Sequence, residues 1–568
     1  MDRRRQDSLT GIPTADYFAA LVQTARQELA DQRQPLSVLF FDMNGMKLFN
    51  SLFGYEEGDR LLQAVAQMLC RRFGPERVCR VGQDHFAAFC GDADIDTLLP
   101  HLYQEAAALN GGRTLPVHVG IYRDVPENVA PLAAVDRAKM ACDMLAATYA
   151  SGSRCFDTSL LAAADHRNYI LEHLDQALSE GWIQAYFQPI IRSANGCICD
   201  EEALTRWIDP DKGLLSPAEF IPALEETGLI YKLDLYMVDQ ALAAMKKKAE
   251  CGVHIVPVSV NISRADFAAC DVAEEIERRV AAAGVRRDLL NVEITESAVT
   301  ENPQYMRTQI DKLRSLGYKV WMDDFGSGYS SLDLLQTFDF DLIKFDMTFL
   351  RQFHTGPKSR IILAQLMKMA LKLGVDTVVE GVETEEHVRF LRGIGCDKLQ
   401  GMYFRRPIPL SEVIQRSRDQ DDLRFENPLE ADYYCAVGTA NLSDPAFADS
   451  KPTETIRPFL HSVPMAILEL RDGHISLLRC NNAYGELLEL RSGAALSELD
   501  ICDVKLPRQP DAQLIAAAEQ CRAEERWFTV RHSKQHTDGI TLHSMLRRLA
   551  VNPVTDAVAV IVVVIAGL

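Results

Sequence analysis

The feature that most constrains this chain is a rhythm that runs from about residue 166 to about residue 415: short Val/Ile-rich runs alternate with amphipathic helical segments. The runs read as strands are 185–191, 201–207, 256–262, 289–295, 318–324, 341–346, 376–382 and 398–404. Between most of them lie segments of helical spacing, such as DLYMVDQALAAMKKKA and SRIILAQLMKMALKLG. Repeated βα units pair in parallel, and eight of them over about 240 residues predict a closed (β/α)8 TIM-like barrel. A doubly wound open sheet is the alternative. In a parallel barrel the chemistry gathers at the C-terminal strand ends, and oxygen-bearing side chains fall there repeatedly: Asn261, Glu293 and Glu296, Asp323 and Asp324, Asp346, Glu380 and Glu383. Lys344 stands among them, and Glu202 and Arg206 share a face of EEALTRW because i and i+4 have the same parity in a strand. Asp323 and Asp324 converge only if their strand stops, which Gly326 and Gly328 are placed to enforce.

A single carboxylate at a strand end is ordinarily solvated. Many on one rim raise one another's pKa and oppose folding unless cations neutralise them. The donors are oxygens without His or Cys, which favours Mg2+ or Mn2+ over Zn2+. Such a site suits metal-dependent hydrolysis of a phosphate ester. A metal barrel of the enolase or aldolase kind is the competing reading.

The flanks differ from the barrel. In a chain of 568 residues there is room for several domains. Residues 1–165 mix strands and helices: Val38–Asp42 as a strand, Asp59–Phe73 as a helix, Val78–Cys90 as two strands about a turn, and helix around Ala133–Tyr149. The barrel is set at 166–417, a polar connector at 418–455 and a third α+β domain at 456–568, opening strand–DG–strand and ending on an apolar strand. That apolar tail, Ala557–Leu568, is twelve residues long, short of the about 20 needed to span a bilayer. With a formal net charge of −20, the chain has no overall field for DNA or an anionic membrane. No signal peptide is visible, and the fourteen cysteines contain no CxxC pair; a cytoplasmic protein with buried thiols is expected.

Residues 166–415 resemble an EAL domain, the family that hydrolyses the bacterial second messenger cyclic di-GMP. The resemblance is carried, in order, by Gln188–Ile190, Glu202–Trp207, Pro217–Pro222, Val260–Ser263, Glu293–Ser297, Asp323–Leu332, Asp341–Asp346, Glu380–Thr384 and Leu399–Pro409. It implies metal ligands at Glu202, Asn261, Glu293, Asp323 and Asp324 for two Mg2+ or Mn2+ ions per site. It also implies catalytic roles for Lys344, near the hydrolytic water, and Glu380, and substrate contacts at Gln188, Leu204, Arg206, Glu383 and Gln400. Glu296 would organise the DDFGSG loop, and the product would be linear pGpG. A receptor that binds cyclic di-GMP without cleaving it is the alternative.

The N-terminal region resembles a GGDEF domain, the family that makes cyclic di-GMP from two GTP. Asp7–Pro13 resembles its opening motif, and Asp42, Lys47, Asn50, Gly54, Gly58 and Asp59 follow its nucleotide loop. The signature is altered to Gly82-Gln83-Asp84-His85-Phe86, with a Cβ at Gln83 that resists φ > 0. Asp143 replaces a phosphate-binding lysine, and the inhibitory R-x-x-D pattern, which would fall at Phe73 and Glu76, is absent. Cyclase activity is not expected; GTP bound through Asp42, Asn50, Asp59 and Asp84 as a regulator, in a homodimer, is. An inert spacer is the alternative. Residues 456–568 resemble a PAS sensor domain, and their histidines (His461, His474, His532, His536, His543) are read as packing or surface groups.

Overall fold

The computed structural model describes residues 5–31, 34–91, 95–145, 148, 150–300, 302–326, 331–354, 356–419, 422–440, 442, 463–487, 504–505, 512–533 and 541–567. The chain divides into two units, Met1–Glu172 and His173–Leu568.

In the first unit β1 (Leu36–Met43) is the central strand. It lies antiparallel between β3 (His85–Gly91) and β4 (Val117–Tyr122), with β2 (Val78–Gly82) and β5 (Gly152–Cys155) at the edges. Its side chains alternate between two cores, which explains why LSVLFFDM reads as an unbroken apolar run. Leu39, Phe41 and Met43 face helix Tyr55–Phe73, whereas Leu36, Val38 and Phe40 pack with helices Ala15–Asp31 and Pro131–Asp143. Helix Thr158–Glu180 runs across position 165, so no structural break falls there.

The second unit holds the barrel. Its strands are β6 (Ile183–Arg192), β7 (Ile198–Asp209), β9 (Val258–Asn261), β10 (Leu290–Thr295), β11 (Lys319–Phe325), β12 (Leu342–Phe345), β13 (Asp376–Val379) and β14 (Lys398–Gln400); β8 (Gly213–Leu215) and β15 (Ile408–Pro409) are short additions. Pairing of β6 with β7 closes the ring. The fully parallel pattern expected from the βα rhythm is corrected at one place: β6 runs antiparallel to both β7 and β14. The cause is local. β6 and β7 are joined by Ser193–Cys197, with Asn195 followed by Gly196 at φ +71°. A five-residue connection can make only a hairpin, because a parallel return needs a crossover of a dozen residues or more.

Within the barrel Ile190, Cys199, Trp321, Leu342 and Val378 form a buried apolar layer. Asp200, Asn291 and Lys398 add a buried polar layer: Asn291 Nδ2 donates to Asp200 Oδ1 at 3.2 Å, and Lys398 Nζ lies 2.9 Å from Asp200 Oδ2.

The C-terminal sheet has six strands in the order β18-β17-β16-β21-β20-β19. They are β16 (Met465–Arg471), β17 (His474–Cys480), β18 (Val504–Lys505), β19 (Phe528–Ser533), β20 (Thr541–Val551) and β21 (Val558–Gly567). The apolar tail is β21, central between β16 and β20. One face is covered by helix Ala512–Ala523 and the other by Tyr433 and Val437 of helix Ala431–Thr439, so its continuous Val/Ile content is the mark of burial on both sides. That second helix belongs to the segment read as a connector; residues 443–455 of the segment, and His461 and His536, lie outside the described residues. His532 is buried against Ser544 Oγ at 2.8 Å, while His474 is exposed. No helix among the described residues is long and apolar enough to cross a membrane.

Candidate active site at the barrel mouth

Each strand of the parallel set delivers one polar side chain near its C-terminal end. Asn261 is the last residue of β9 and is paired in register with Glu293 of β10. Asp323 of β11 pairs with Thr295, Lys344 lies in β12, Glu380 follows β13 directly, and Gln400 ends β14. Glu202 joins them from β7, opposite Gln188 of β6.

Lys344 is the hub. It is 1% exposed, and its Nζ lies 2.6 Å from Glu293 Oε2, 2.7 Å from Glu380 Oε1, 3.1 Å from Asp323 Oδ1 and 3.3 Å from Glu202 Oε2. Glu202 is tied further: Gln400 Nε2 donates to its Oε2 at 2.6 Å and Asn261 Nδ2 to its Oε1 at 3.1 Å. Gln400 Nε2 also donates to Gln188 Oε1 at 3.2 Å, and Gln188 Nε2 to the carbonyl of Arg405 at 3.3 Å.

One ammonium facing so many carboxylates leaves the ring short of positive charge. Burial pushes the Glu293 carboxyl well up, with Glu202 and Asp323 adding to it. Burial likewise raises Glu380 to about 7 although Lys344 pulls the other way. Asp324 is raised to about 6 by burial, by Asp323 and by Asp346. Lys344 stays firmly protonated: burial opposes its charge, but Asp323, Glu202, Glu293 and Glu380 outweigh it. Two oxygens of the ring, Glu293 Oε1 and Gln400 Oε1, are buried without a hydrogen-bond partner. Excess carboxylates, oxygen donors only and an orphaned buried carboxylate oxygen fit a hard divalent cation, with Glu202, Asn261, Glu293, Asp323 and Asp324 as its donors.

The expected glycine stop falls at Gly326 (φ +94°), two residues beyond Asp324. β11 continues through Phe325, and Asp324 itself takes φ +56° beside a shift of register against β12. Asp324 N donates to Asp323 Oδ1 at 2.9 Å. Gly326 N donates to buried Glu296 Oε2 at 3.2 Å, which links the start of the DDFGSG loop to Glu296; Gly328 lies outside the described residues.

Other expected residues stand off the ring. Arg206 is half-buried with its guanidinium 5.7 Å from the Tyr186 ring centroid. Leu204 pairs with Tyr186 in the same hairpin and is half-buried. Glu383 is exposed on the turn before helix Glu385–Gly393, its N–H donating to His387 Nδ1 at 3.4 Å. Tyr186 was not foreseen, although it lies two residues before Gln188 and so shares its face.

In the first unit, Asp42, Asp84 and His85 bring one ligand atom each within 4.8 Å of one another. His85 Nε2 is 3.4 Å from Asp42 Oδ1 and 3.7 Å from Asp84 Oδ1, and the Asp42 contact raises the imidazole's affinity for a proton. The resistance expected of Gln83 is overruled: it adopts φ +46°, its carbonyl held by Arg80 Nε at 3.0 Å and Nη2 at 2.5 Å, with Arg80 paired to Asp7 at 3.2 Å. Asn50 abuts Gly58, where a Cβ would fall 2.0 Å from Asn50 Oδ1; Asp59 is exposed, and Asp143 is held by Lys139 at 2.6 Å.

Two family models match the chain. Residues 171–407 match the EAL domain model and residues 4–122 match that of the diguanylate cyclase GGDEF domain. The chain therefore carries an EAL domain and a GGDEF domain. It is 30% identical over 425 residues (72% of this chain, 53% of the relative) to cyclic di-GMP phosphodiesterase NbdA of Pseudomonas aeruginosa. It is 28% identical over 420 residues (72% of this chain, 61% of the relative) to the bifunctional diguanylate cyclase/cyclic di-GMP phosphodiesterase MucR of the same organism. The chain thus spans between half and two thirds of the length of these curated relatives. A solved structure described as PaMucR phosphodiesterase in complex with c-di-GMP aligns with 30% identity and a TM-score of 0.41, covering 43% of this chain and 99% of that one.

Proposed function

We propose that the barrel hydrolyses cyclic di-GMP to linear pGpG in a reaction that requires Mg2+ or Mn2+. The observation that carries the reading is the buried Lys344 ring, in which Glu202, Glu293, Asp323 and Glu380 converge on one ammonium at the mouth of a closed barrel. The divalent ions, held by Glu202, Asn261, Glu293, Asp323 and Asp324, supply activation of water and screening of the phosphate charge. The chain's own residues do the rest. Glu380, fixed by Lys344 through Oε1 and raised to about 7 by burial, is suited to take the proton of the attacking water near neutral pH. Water oxygen bonds to phosphorus, the bond to one 3′ oxygen breaks, and that oxygen leaves as a hydroxyl after taking up the proton that Glu380 accepted, directly or through water. Lys344 remains a cation throughout and holds the nucleophile's environment. Arg206, on the rim, meets a substrate phosphate, and Gln188 and Gln400 line the floor beneath it. Purified protein incubated with cyclic di-GMP and Mg2+ should accumulate pGpG, and exhaustive chelation should stop it. Tight binding of intact cyclic di-GMP with Mg2+ present would leave the receptor reading instead.

The GGDEF domain is assigned a regulatory role: it binds GTP through Asp42, Asn50, Asp59 and Asp84 without condensing it, and shifts a homodimer toward the active arrangement. The replacement of an acidic residue by His85 beside Asp42 and Asp84 supports the loss of turnover. GTP must then bind the active state more tightly than the resting one. The rate should rise with GTP in the wild type and not in Asp42→Ala/Asp84→Ala; no effect in either, with no binding by calorimetry, leaves the spacer. The C-terminal sheet is assigned a PAS-like sensor role on the hairpin β16–β17, its Asp472–Gly473 turn and the helix Asn482–Leu487 that follows.

A further inference from the structure

The N-terminal rim of the barrel, opposite the mouth, carries a second cluster that the hydrolysis does not use. Asp376 opens β13, Asp397 immediately precedes β14, and Cys435 lies on helix Ala431–Thr439, beyond the residues that match the EAL family. One ligand atom from each falls within 4.8 Å of the other two.

Asp397 supplies the observation that separates this cluster from a chance grouping. It is fully buried; its Oδ2 accepts from Arg192 Nη1 at 2.6 Å, but its Oδ1 is buried with no hydrogen-bond partner. A buried carboxylate oxygen left unmatched is costly and marks a missing partner. The space beside it is kept open by the chain: at Gly438 a Cβ would sit 3.0 Å from Asp397 Oδ1. Gly438 lies three residues after Cys435, on the same face of the helix.

The nearby cations do not fill the gap. Arg192 is shared with Glu426 at 2.9 Å, and Lys398 is committed to Asp200 at 2.9 Å. Among the described residues, the ion pairs of Asp200, Asp397 and Glu426 are made with Arg192 and Lys398, so three carboxylates share two cations before Asp376 is added.

We propose that Asp376, Asp397 and Cys435 form a structural site for a borderline divalent cation of the Zn2+ type, distinct in chemistry from the all-oxygen mouth. One thiolate with two carboxylates is a donor set that suits tetrahedral Zn2+, with water in the fourth place, and suits Mg2+ poorly. Binding releases the thiol proton as the metal–sulfur bond forms. Its consequence is mechanical. The helix bearing Cys435 packs Tyr433 and Val437 against Met465, Ile467, Ala559 and Ile561 of the C-terminal sheet. Arg479 of β17 donates to the carbonyls of Val437 at 2.6 Å and Gly438 at 2.8 Å. The ion would clip this helix to the barrel rim and so couple the C-terminal sheet to the barrel.

The test uses the full chain, stripped of metal and titrated with Co2+ and Zn2+. Wild type should develop a near-ultraviolet thiolate-to-cobalt absorption that Zn2+ quenches. Cys435→Ser should abolish it and weaken the tightest Zn2+ equivalent by on the order of 100-fold or more. Asp376→Asn, at a half-exposed position that spares the Arg192 network, should weaken Zn2+ binding while keeping the sulfur band. Glu202→Gln should leave the band unchanged. A band that is missing from wild type, or that survives Cys435→Ser, overturns the assignment.

Discussion

Replacing Glu380 by Gln should stabilise the metal-free protein while disabling it. In the wild type, burial moves this carboxyl from its ordinary 4.5 to about 7. A change of that size costs about 3 kcal/mol when the group is ionised. The sign follows from a folded pKa above the unfolded one: the folded state binds the proton more tightly, so this stabilisation is fully present below about pH 4.5 and is lost as pH rises through about 7. Gln keeps an acceptor for Lys344 Nζ, 2.7 Å from Glu380 Oε1, and has no charge to desolvate. In chelator, Glu380→Gln should match wild type near pH 4.5 and exceed it by about 3 kcal/mol at pH 8. Urea unfolding followed by tryptophan fluorescence reads this directly, because Trp207 and Trp321 are buried in barrel strands. The same variant should lose about 100-fold or more in kcat with Mg2+ as the proton acceptor is removed. A stability difference that does not change with pH, or a variant less stable than wild type at pH 8, would refute the reasoning.

Lys344→Met removes the ammonium in contact with four carboxylates and should cost about 3–5 kcal/mol in chelator; Mg2+ should recover part of it in urea melts, with kcat still depressed far more than substrate affinity. Ca2+ should displace Mg2+ in competition binding yet fail to support turnover, because its longer and looser coordination misplaces the water. Gly401→Ala should lower the unfolding free energy read from urea melts by about 1–3 kcal/mol, since the new Cβ would fall 2.1 Å from the Val382 carbonyl oxygen, and backbone yields little.

Much of this barrel is legible in its sequence because each strand ends in a polar residue after an apolar run, so the expected positions of Asn261, Glu293, Asp323, Lys344 and Glu380 follow from periodicity alone. What periodicity does not encode is direction. β6 reads as one more strand of a parallel series, and only the Asn195-Gly196 pair in a five-residue link tells that it turns back. Backbone choices at single residues were also hidden. Asp324 and Gln83 both take positive φ, and for Gln83 the cause includes a contact distant in sequence: its carbonyl is held by Arg80, which Asp7 braces. The Asp376–Asp397–Cys435 cluster had no spacing signal, since its members come from two strand starts and a helix in a segment that reads as polar connector.

The central claim is that water, activated within the Lys344 ring, opens cyclic di-GMP. Hydrolysis carried out with Mg2+ in 18O-labelled water, with the products separated and weighed by mass spectrometry, tests it most directly. The account predicts pGpG with one heavy oxygen on its terminal phosphate from wild type and none from Glu202→Ala, which has lost a donor that Gln400, Asn261 and Lys344 hold in place. Intact cyclic di-GMP from wild type, or equal labelling from Glu202→Ala, would contradict it.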